Sequence, residues 1–301
     1  MERTVRVETN NQAVLQLAQK FFERYQHGHR REPEFIWRIV SEPNSGVNST
    51  SVNLSAFSTH GVRFLNVGQR GFLAVDVEQR KATGYLAEPF FGADARLRHR
   101  PPMDVLLCMT AASLRLTALS GACVGIEDRA AMIFGPPNSG KTTSSYLAAK
   151  MGMKFHADQV VFLDMEKGSL RGWGDPFPAV FRPQTLQFLP ELRHAAHFST
   201  YSDLSFYYFD KTTLQARWAE PVLPMYNIFL DRSAGCESEL REVTPQETFS
   251  RLRESVLFEE DPRFDSQILA SISALSEKPS FTLRYDSDPM IAANIINRML
   301  R

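Results

Sequence analysis

An α/β fold is predicted for this 301-residue chain, with a small α/β sheet layer over residues 1–98 and a larger α/β domain over residues 99–301. Three observations carry that expectation. Short apolar runs of strand length alternate with segments of helical period. One such run, Ala131–Phe134, enters a glycine-bounded loop, and a helix-compatible segment from Ser144 to Met151 leaves it. The composition is 43% apolar and 23% charged, which is that of an ordinary folded protein able to bury a core.

In chain order, residues 13–25 place Val14, Leu17, Ala18, Phe21, Phe22 and Tyr25 at helical spacing, and Gly28 lies just past them. A helix packed on a sheet is preferred here over a partner-binding helix. Glu34–Val40 alternates Phe35, Trp37 and Ile39 on one face and reads as a strand, followed by a Ser/Asn/Gly/Pro loop over 41–51. Val62–Val67 and Gly71–Val77 read as a hairpin, with Ala82–Ala87 beside them. Arg96, Arg98, His99 and Arg100 precede Pro101-Pro102, which reads as a solvated hinge between the two parts. Met103–Leu116 reads as a buried helix. Leu119–Ile126, Ala130–Phe134 and Lys154–Asp164 read as strands, as do shorter pieces at 170–173, 179–181 and 225–230. Leu204–Phe209 with the turn Asp210-Lys-Thr212 suggests a hairpin. Thr244-Pro245-Gln246-Glu247 is a capping box with proline at the first helical position. A helix over 265–275, a strand over 280–285 and a last helix from Pro289 complete the pattern.

Several function classes are disfavoured. Lys+Arg and Asp+Glu each total 34, so the chain offers no net field to recruit nucleic acid or an anionic membrane. Cys108, Cys123 and Cys236 are too far apart for a disulfide framework or a metal knuckle. With neither a signal-peptide pattern nor an apolar run of about 18 residues, a cytoplasmic protein is expected.

The loop itself reads Gly135-Pro136-Pro137-Asn138-Ser139-Gly140-Lys141-Thr142-Thr143 and fits the phosphate-loop pattern G-x-x-x-x-G-K-[ST]. Its glycines allow a tight turn and close approach of backbone to phosphate. Loop and helix amides then face the anion, Lys141 adds a point charge, and the Thr142 hydroxyl suits Mg²⁺. ATP with Mg²⁺ is the expected ligand. The competing view, a glycine turn that happens to precede a helix, leaves the entering strand without a role.

Phosphoryl transfer needs further groups to orient the acceptor and complete the metal shell. Asp158 follows Thr142 by 16 residues, inside an otherwise apolar stretch where a lone carboxylate requires a cation or hydrogen bonds. It is the candidate base and a candidate metal ligand. Asp164, closing the run Val160–Leu163, and Asp175, in Gly174-Asp-Pro176, are further candidate ligands. Each is weighed against a plain turn or surface carboxylate. His156 would share a strand face with Asp158 and could shuttle protons, or be a hydrogen-bonded structural histidine. Arg182 could clamp phosphate or form a surface ion pair. His194 and His197 have ligand spacing without a nearby third ligand and are read as surface residues.

The loop, Gly152 and Ala157-Asp158-Gln159-Val160 together resemble the catalytic domain of HPr kinase/phosphorylase, most clearly over residues 103–182. The resemblance implies a P-loop kinase domain of the HPr kinase/PEP carboxykinase type. It implies ATP-dependent transfer to a hydroxyl, most readily serine, of a protein, peptide or small molecule, and assembly into homo-oligomers. Carried over by position, Lys141 would bind phosphate, Thr142 would bind Mg²⁺ and Asp158 would be the base. Ser120-Gly121 stands where the family has a His-Gly pair, and Gln159 stands where it has a second aspartate. Both departures leave room for a nucleotide-binding regulatory or scaffold protein with little transfer. Residues 1–98 do not resemble that family's N-terminal domain and are expected to meet an acceptor or partner.

Overall fold

The computed structural model describes residues 3–22, 32–42, 55–59, 61–66, 71–87, 102–166, 168–175, 179–195, 197–201, 204–209, 220–258 and 264–301. Among these residues the chain is a mixed α/β protein of four sheets.

The first sheet has the order β1 (Val5–Thr9), β2 (Phe35–Glu42), β6 (Lys81–Ala87), β5 (Gly71–Asp76), β4 (Val62–Asn66), β3 (Ser55–Thr59). Phe35, Trp37 and Ile39 all face inward, as alternation requires. They meet Val14, Ala18 and Phe21 of α1 (Gln12–Phe22). The same core continues into Met103, Leu106 and Met109 of α2 (Pro102–Thr110), then into Ala118, Val160 and Phe162. Arg63 on β4 adds a polar tie across this core: it is 3% exposed, and its guanidinium donates to the carbonyls of Met109 (2.6 Å) and Phe258 (2.7 Å).

The second sheet has the order β10 (Lys154–Ala157), β8 (Ala122–Ile126), β9 (Arg129–Phe134), β16 (Leu223–Arg232), β18 (Ser280–Tyr285), β17 (Glu239–Val243). β9, β16 and β18 are mutually parallel, and β10 runs with β9 because each is antiparallel to β8. Ala131, Ile133, Ile228, Leu230, Leu283 and Tyr285 cover one face under α3 (Lys141–Lys150) and α7 (Pro289–Leu300). Met132, Phe134 and Phe229 cover the other face, against Leu252 of α5 (Pro245–Glu254) and Ile268 and Ile272 of α6 (Asp265–Ser276). Burying alternate residues on opposite faces makes β9 read as a continuous apolar run.

Two three-stranded sheets flank this one. The first is β12 (Ser169–Gly174), β11 (Val160–Glu166), β7 (Thr117–Ser120). The second is β13 (Ala179–Phe181), β15 (Leu204–Phe209), β14 (His197–Tyr201), with α4 (Leu192–Ala195) ahead of β14.

The structure differs from the sequence reading at a place that matters. Leu119–Ile126 and Lys154–Asp164 are each two strands, not one. β7 and β11 belong to one sheet, β8 and β10 to another. Both chains bend at the same level, where Gly121 N–H donates to the Gln159 carbonyl (3.0 Å). A Cβ on Gly121 would lie 3.0 Å from the Phe134 ring, so a larger residue there would have to displace that ring by a few tenths of an ångström. Strands that change sheets do so at such bends.

Other elements follow or depart from expectation for local reasons. Thr244 caps α5 by accepting from Glu247 N–H, with Pro245 in the first turn. β15 pairs with β14 before it and with β13. The proposed turn at 210–212, the basic cluster at 96–100 and the end of the first helix past Phe22 lie outside the described residues. Among the described residues no helix is long and apolar enough to cross a membrane.

Candidate functional site

β9 ends at Phe134, and the chain turns at once. Gly135 has φ +144°, and a Cβ there would sit 2.7 Å from both the Leu230 carbonyl and Ser139 Oγ. Gly140, at φ +92°, caps α3. Asn138 also takes a left-handed conformation, one that asparagine tolerates better than most residues. Pro136, Pro137 and Asn138 form an exposed crown, whereas Ser139 is buried beneath it. Ser139 N–H donates to the Pro136 carbonyl (3.1 Å) and Ser144 N–H to the Gly140 carbonyl (2.9 Å), which closes the loop onto the helix. The first turn of α3 holds no acidic residue, so the positive end of a ten-residue helix faces the loop uncompensated. Ser139 Oγ has no hydrogen-bond partner among the described residues.

Tyr285, at the end of β18, braces the loop from below. Its hydroxyl donates to the Ser139 carbonyl (2.6 Å), and a Cβ on Gly140 would meet that same oxygen at 2.1 Å. Glycine at 140 is therefore needed for space as well as for φ. Burial pushes the Tyr285 phenol above its ordinary range, against smaller opposing effects of a hydrogen bond with Ser144 and the charge of Arg232. The phenol thus stays a donor through neutral and mildly alkaline pH. Tyr285→Phe should lower stability by about 1–2 kcal/mol, the net loss of one buried hydrogen bond and an acceptor left unpaired. Because the folded-state pKa is raised, the stabilisation is complete below the ordinary tyrosine pKa of 10 and is lost as pH rises through the raised value. Thermal melts of the two proteins should differ at pH 8 and converge above pH 10. A difference that persists unchanged at high pH would remove the phenol from this role.

Lys141 opens α3, and its ammonium donates back to the carbonyls of Gly135 (2.6 Å) and Pro136 (3.0 Å). Burial holds it below the ordinary lysine range, and the negative charge of Asp158 opposes that shift. The structure therefore brings Lys141 and Asp158 into one electrostatic neighbourhood.

Asp158 is 2% exposed and sits not within a strand but at the bend between β10 and β11. Its Oδ2 accepts from Val180 N–H (3.0 Å), and its own N–H donates to Oδ1 of Asp175 (3.3 Å). Asp175, fully buried at the end of β12, thus lies beside Asp158. Two of the three candidate acids come together here, and the charge of one of them, Asp158, acts on Lys141.

The third does not join them. Asp164 lies on β11 on the face shared by Val160 and Phe162, and Arg3 approaches it at 3.8 Å. Strand rise alone separates it from the start of β11 by ~13 Å. His156 is also placed differently from the expectation. The β10–β8 register shifts between Phe155 and Ala157, so alternation breaks at His156. Its Nε2 lies 3.1 Å from where a Cβ on Gly125 would be, on the neighbouring strand. Thr142 is half-buried in the first turn of α3, Thr143 is buried, and Arg182 is exposed after β13. His194 falls in α4 and His197 in β14. Among the described residues no group of three or more His, Cys, Asp or Glu is arranged to hold a metal.

The sequence reading missed two residues at this edge, Tyr285 and Arg232. Both end apolar strands, and only the pairing of β16 with β18 places them beside the loop.

No protein-family model matches the chain, and no curated protein matches it. Among solved structures, one to which it shows similarity is the Hpr(Ser) kinase/phosphatase from Coxiella burnetii. That similarity has a TM-score of 0.32 at 11% identity, and covers 60% of this chain and 95% of the other.

Proposed function

We propose that this protein is an ATP-dependent kinase that transfers the γ-phosphate to a hydroxyl group, serine being the favoured acceptor. The observation that carries this reading is a glycine-bounded loop on a helix N-terminus, with Lys141 hydrogen-bonded to its backbone and under the charge of Asp158, which is itself paired with Asp175. The loop fits a polyphosphate. Its crown is exposed, its glycines leave no Cβ over the backbone, and its lysine donates to carbonyls that it can exchange for phosphate oxygens. The Thr142 hydroxyl and the carboxylates of Asp158 and Asp175 are hard oxygen donors of the kind Mg²⁺ takes, and these residues would hold it. Such an ion would neutralise charge on the β- and γ-phosphates.

In the proposed reaction Lys141 holds the γ-phosphate against the loop amides. Asp158, oriented by Val180 N–H, accepts the proton of the acceptor hydroxyl. The freed oxygen bonds to the γ-phosphorus, the bond from that phosphorus to the β-phosphate oxygen breaks, and ADP leaves. Positioning and charge stabilisation supply most of the catalysis in such transfers. Asp175 supports the reading, because it brings a second carboxylate to the bend that Gln159 leaves with one. The N-terminal unit is assigned the acceptor or partner role, since its outer face exposes Phe57 and Phe72.

A second reading rests on Ser120 and Gln159, a nucleotide-binding regulatory protein with little transfer. Incubating the protein with γ-labelled ATP and cell extract separates the two. A labelled acceptor is expected from the kinase, whereas tight binding with no label would overturn it in favour of the regulator.

A further inference from the structure

The sheet topology places a second cation beside the loop. β10, β9, β16 and β18 all run the same way, so Asp158, Gly135, Arg232 and Tyr285 lie along one edge of the sheet, at the carboxyl ends of its strands. That edge is where open α/β sheets bind ligands. Asp158 follows β10, two strands to one side of the loop, and Arg232 ends β16, one strand to the other side. With neighbouring strands about 4.8 Å apart, the span from Asp158 to Arg232 suits a nucleotide phosphate chain laid across the loop.

The side of the sheet is fixed as well. Ile228 and Leu230 point to the face that carries α3, and Arg232, two residues further along β16, points the same way. The Leu230 carbonyl is the group that a Cβ on Gly135 would strike. Arg232 pairs in register with Tyr285, whose hydroxyl holds the Ser139 carbonyl. One guanidinium nitrogen donates to the Ser287 carbonyl (3.1 Å), which anchors the side chain on this rim. Arginine has five N–H donors, so a fork toward a phosphate is compatible with that anchor.

We infer that Arg232 contacts the α- and β-phosphate end of a bound nucleotide, with the γ-phosphate toward Asp158 and the nucleoside over the ends of β16 and β18. The inference rests on the kinase reading of the loop and adds the direction in which the nucleotide lies. Lys141 and Arg232 then grip the phosphate chain from opposite sides of Gly135.

The test is direct titration of ATP and of ADP into wild type, Arg232→Ala, Arg232→Lys and Lys141→Ala, each checked by thermal melting. Arg232 is exposed, so both variants at this position should fold. Arg232→Ala should weaken ATP and ADP by the same factor, about tenfold, and Arg232→Lys by less, because it keeps the charge. Loss for ATP alone would put the contact at the γ-phosphate and overturn the orientation. Unchanged affinity for both nucleotides, with binding abolished in Lys141→Ala, would remove Arg232 from the site and leave the loop reading intact. Unchanged binding in Lys141→Ala would overturn the loop reading itself, and the inference with it.

Discussion

Lys141→Ala is expected to abolish ATP binding at ordinary concentrations, with turnover lost as a consequence. The ammonium is the charged group of the loop itself, and it already makes two hydrogen bonds along the loop backbone, to Gly135 and Pro136. Exchanging them for phosphate oxygens creates charge-assisted bonds of ~1.5–3 kcal/mol each. Removing both should raise the dissociation constant by ~100-fold or more. Calorimetric titration of ATP measures this directly. The first turn of α3 remains, and with it the helix dipole, so residual weak binding is compatible with the account, whereas wild-type affinity is not.

Asp158→Asn should separate binding from chemistry. Asparagine keeps an oxygen acceptor for Val180 N–H, so the bend between β10 and β11 should hold. What disappears is the negative charge that acts on Lys141, one of the proposed Mg²⁺ ligands, and the ability to take up a proton. Loss of a positioned general base costs about 10²–10⁴-fold in rate. Affinity for ATP measured without Mg²⁺ should therefore stay within a few-fold of wild type, while phosphoryl transfer in the presence of Mg²⁺ falls by at least that factor. Full transfer by Asp158→Asn would remove the base assignment and shift attention to Asp175.

The loop was legible in the sequence because its chemistry is local. Glycine conformation, helix entry and lysine position all lie within nine consecutive residues, Gly135–Thr143. The capping box at Thr244–Glu247 was legible for the same reason. Asp158 stands out because a carboxylate in an apolar stretch demands partners, and the structure supplies Val180 N–H and the charge of Lys141. Its setting was not legible. A strand that bends from one sheet into another has the same apolar pattern as one that continues, so the split at Asp158–Gln159 left no trace in periodicity. The bulge at His156 is equally silent, and it undoes an alternation argument that assumes an unbroken strand. Asp175 reaches the Asp158 bend and Tyr285 reaches the loop from strands remote in sequence, Arg232 ends the strand beside the loop, and only topology places them there. Among the described residues β1, β3 and β17 lie at sheet edges, and they carry weak apolar patterns. Val5–Thr9 is only partly buried, and Ser55–Thr59 is exposed throughout. Continuity of the core between the N-terminal sheet and α2, β7 and β11 was hidden for the same reason, since Arg63 reads as a surface charge until its partners Met109 and Phe258 are placed.

The most direct test of the account is a crystal structure of the protein with a non-hydrolysable ATP analogue and Mg²⁺. The account predicts the triphosphate on the loop amides, with the γ-phosphate between Lys141 and Asp158, Mg²⁺ on Thr142 and the Asp158–Asp175 carboxylates, and the nucleoside toward Arg232. A nucleotide bound elsewhere on the chain, or a triphosphate on the loop with its γ-phosphate directed away from Asp158, would contradict it.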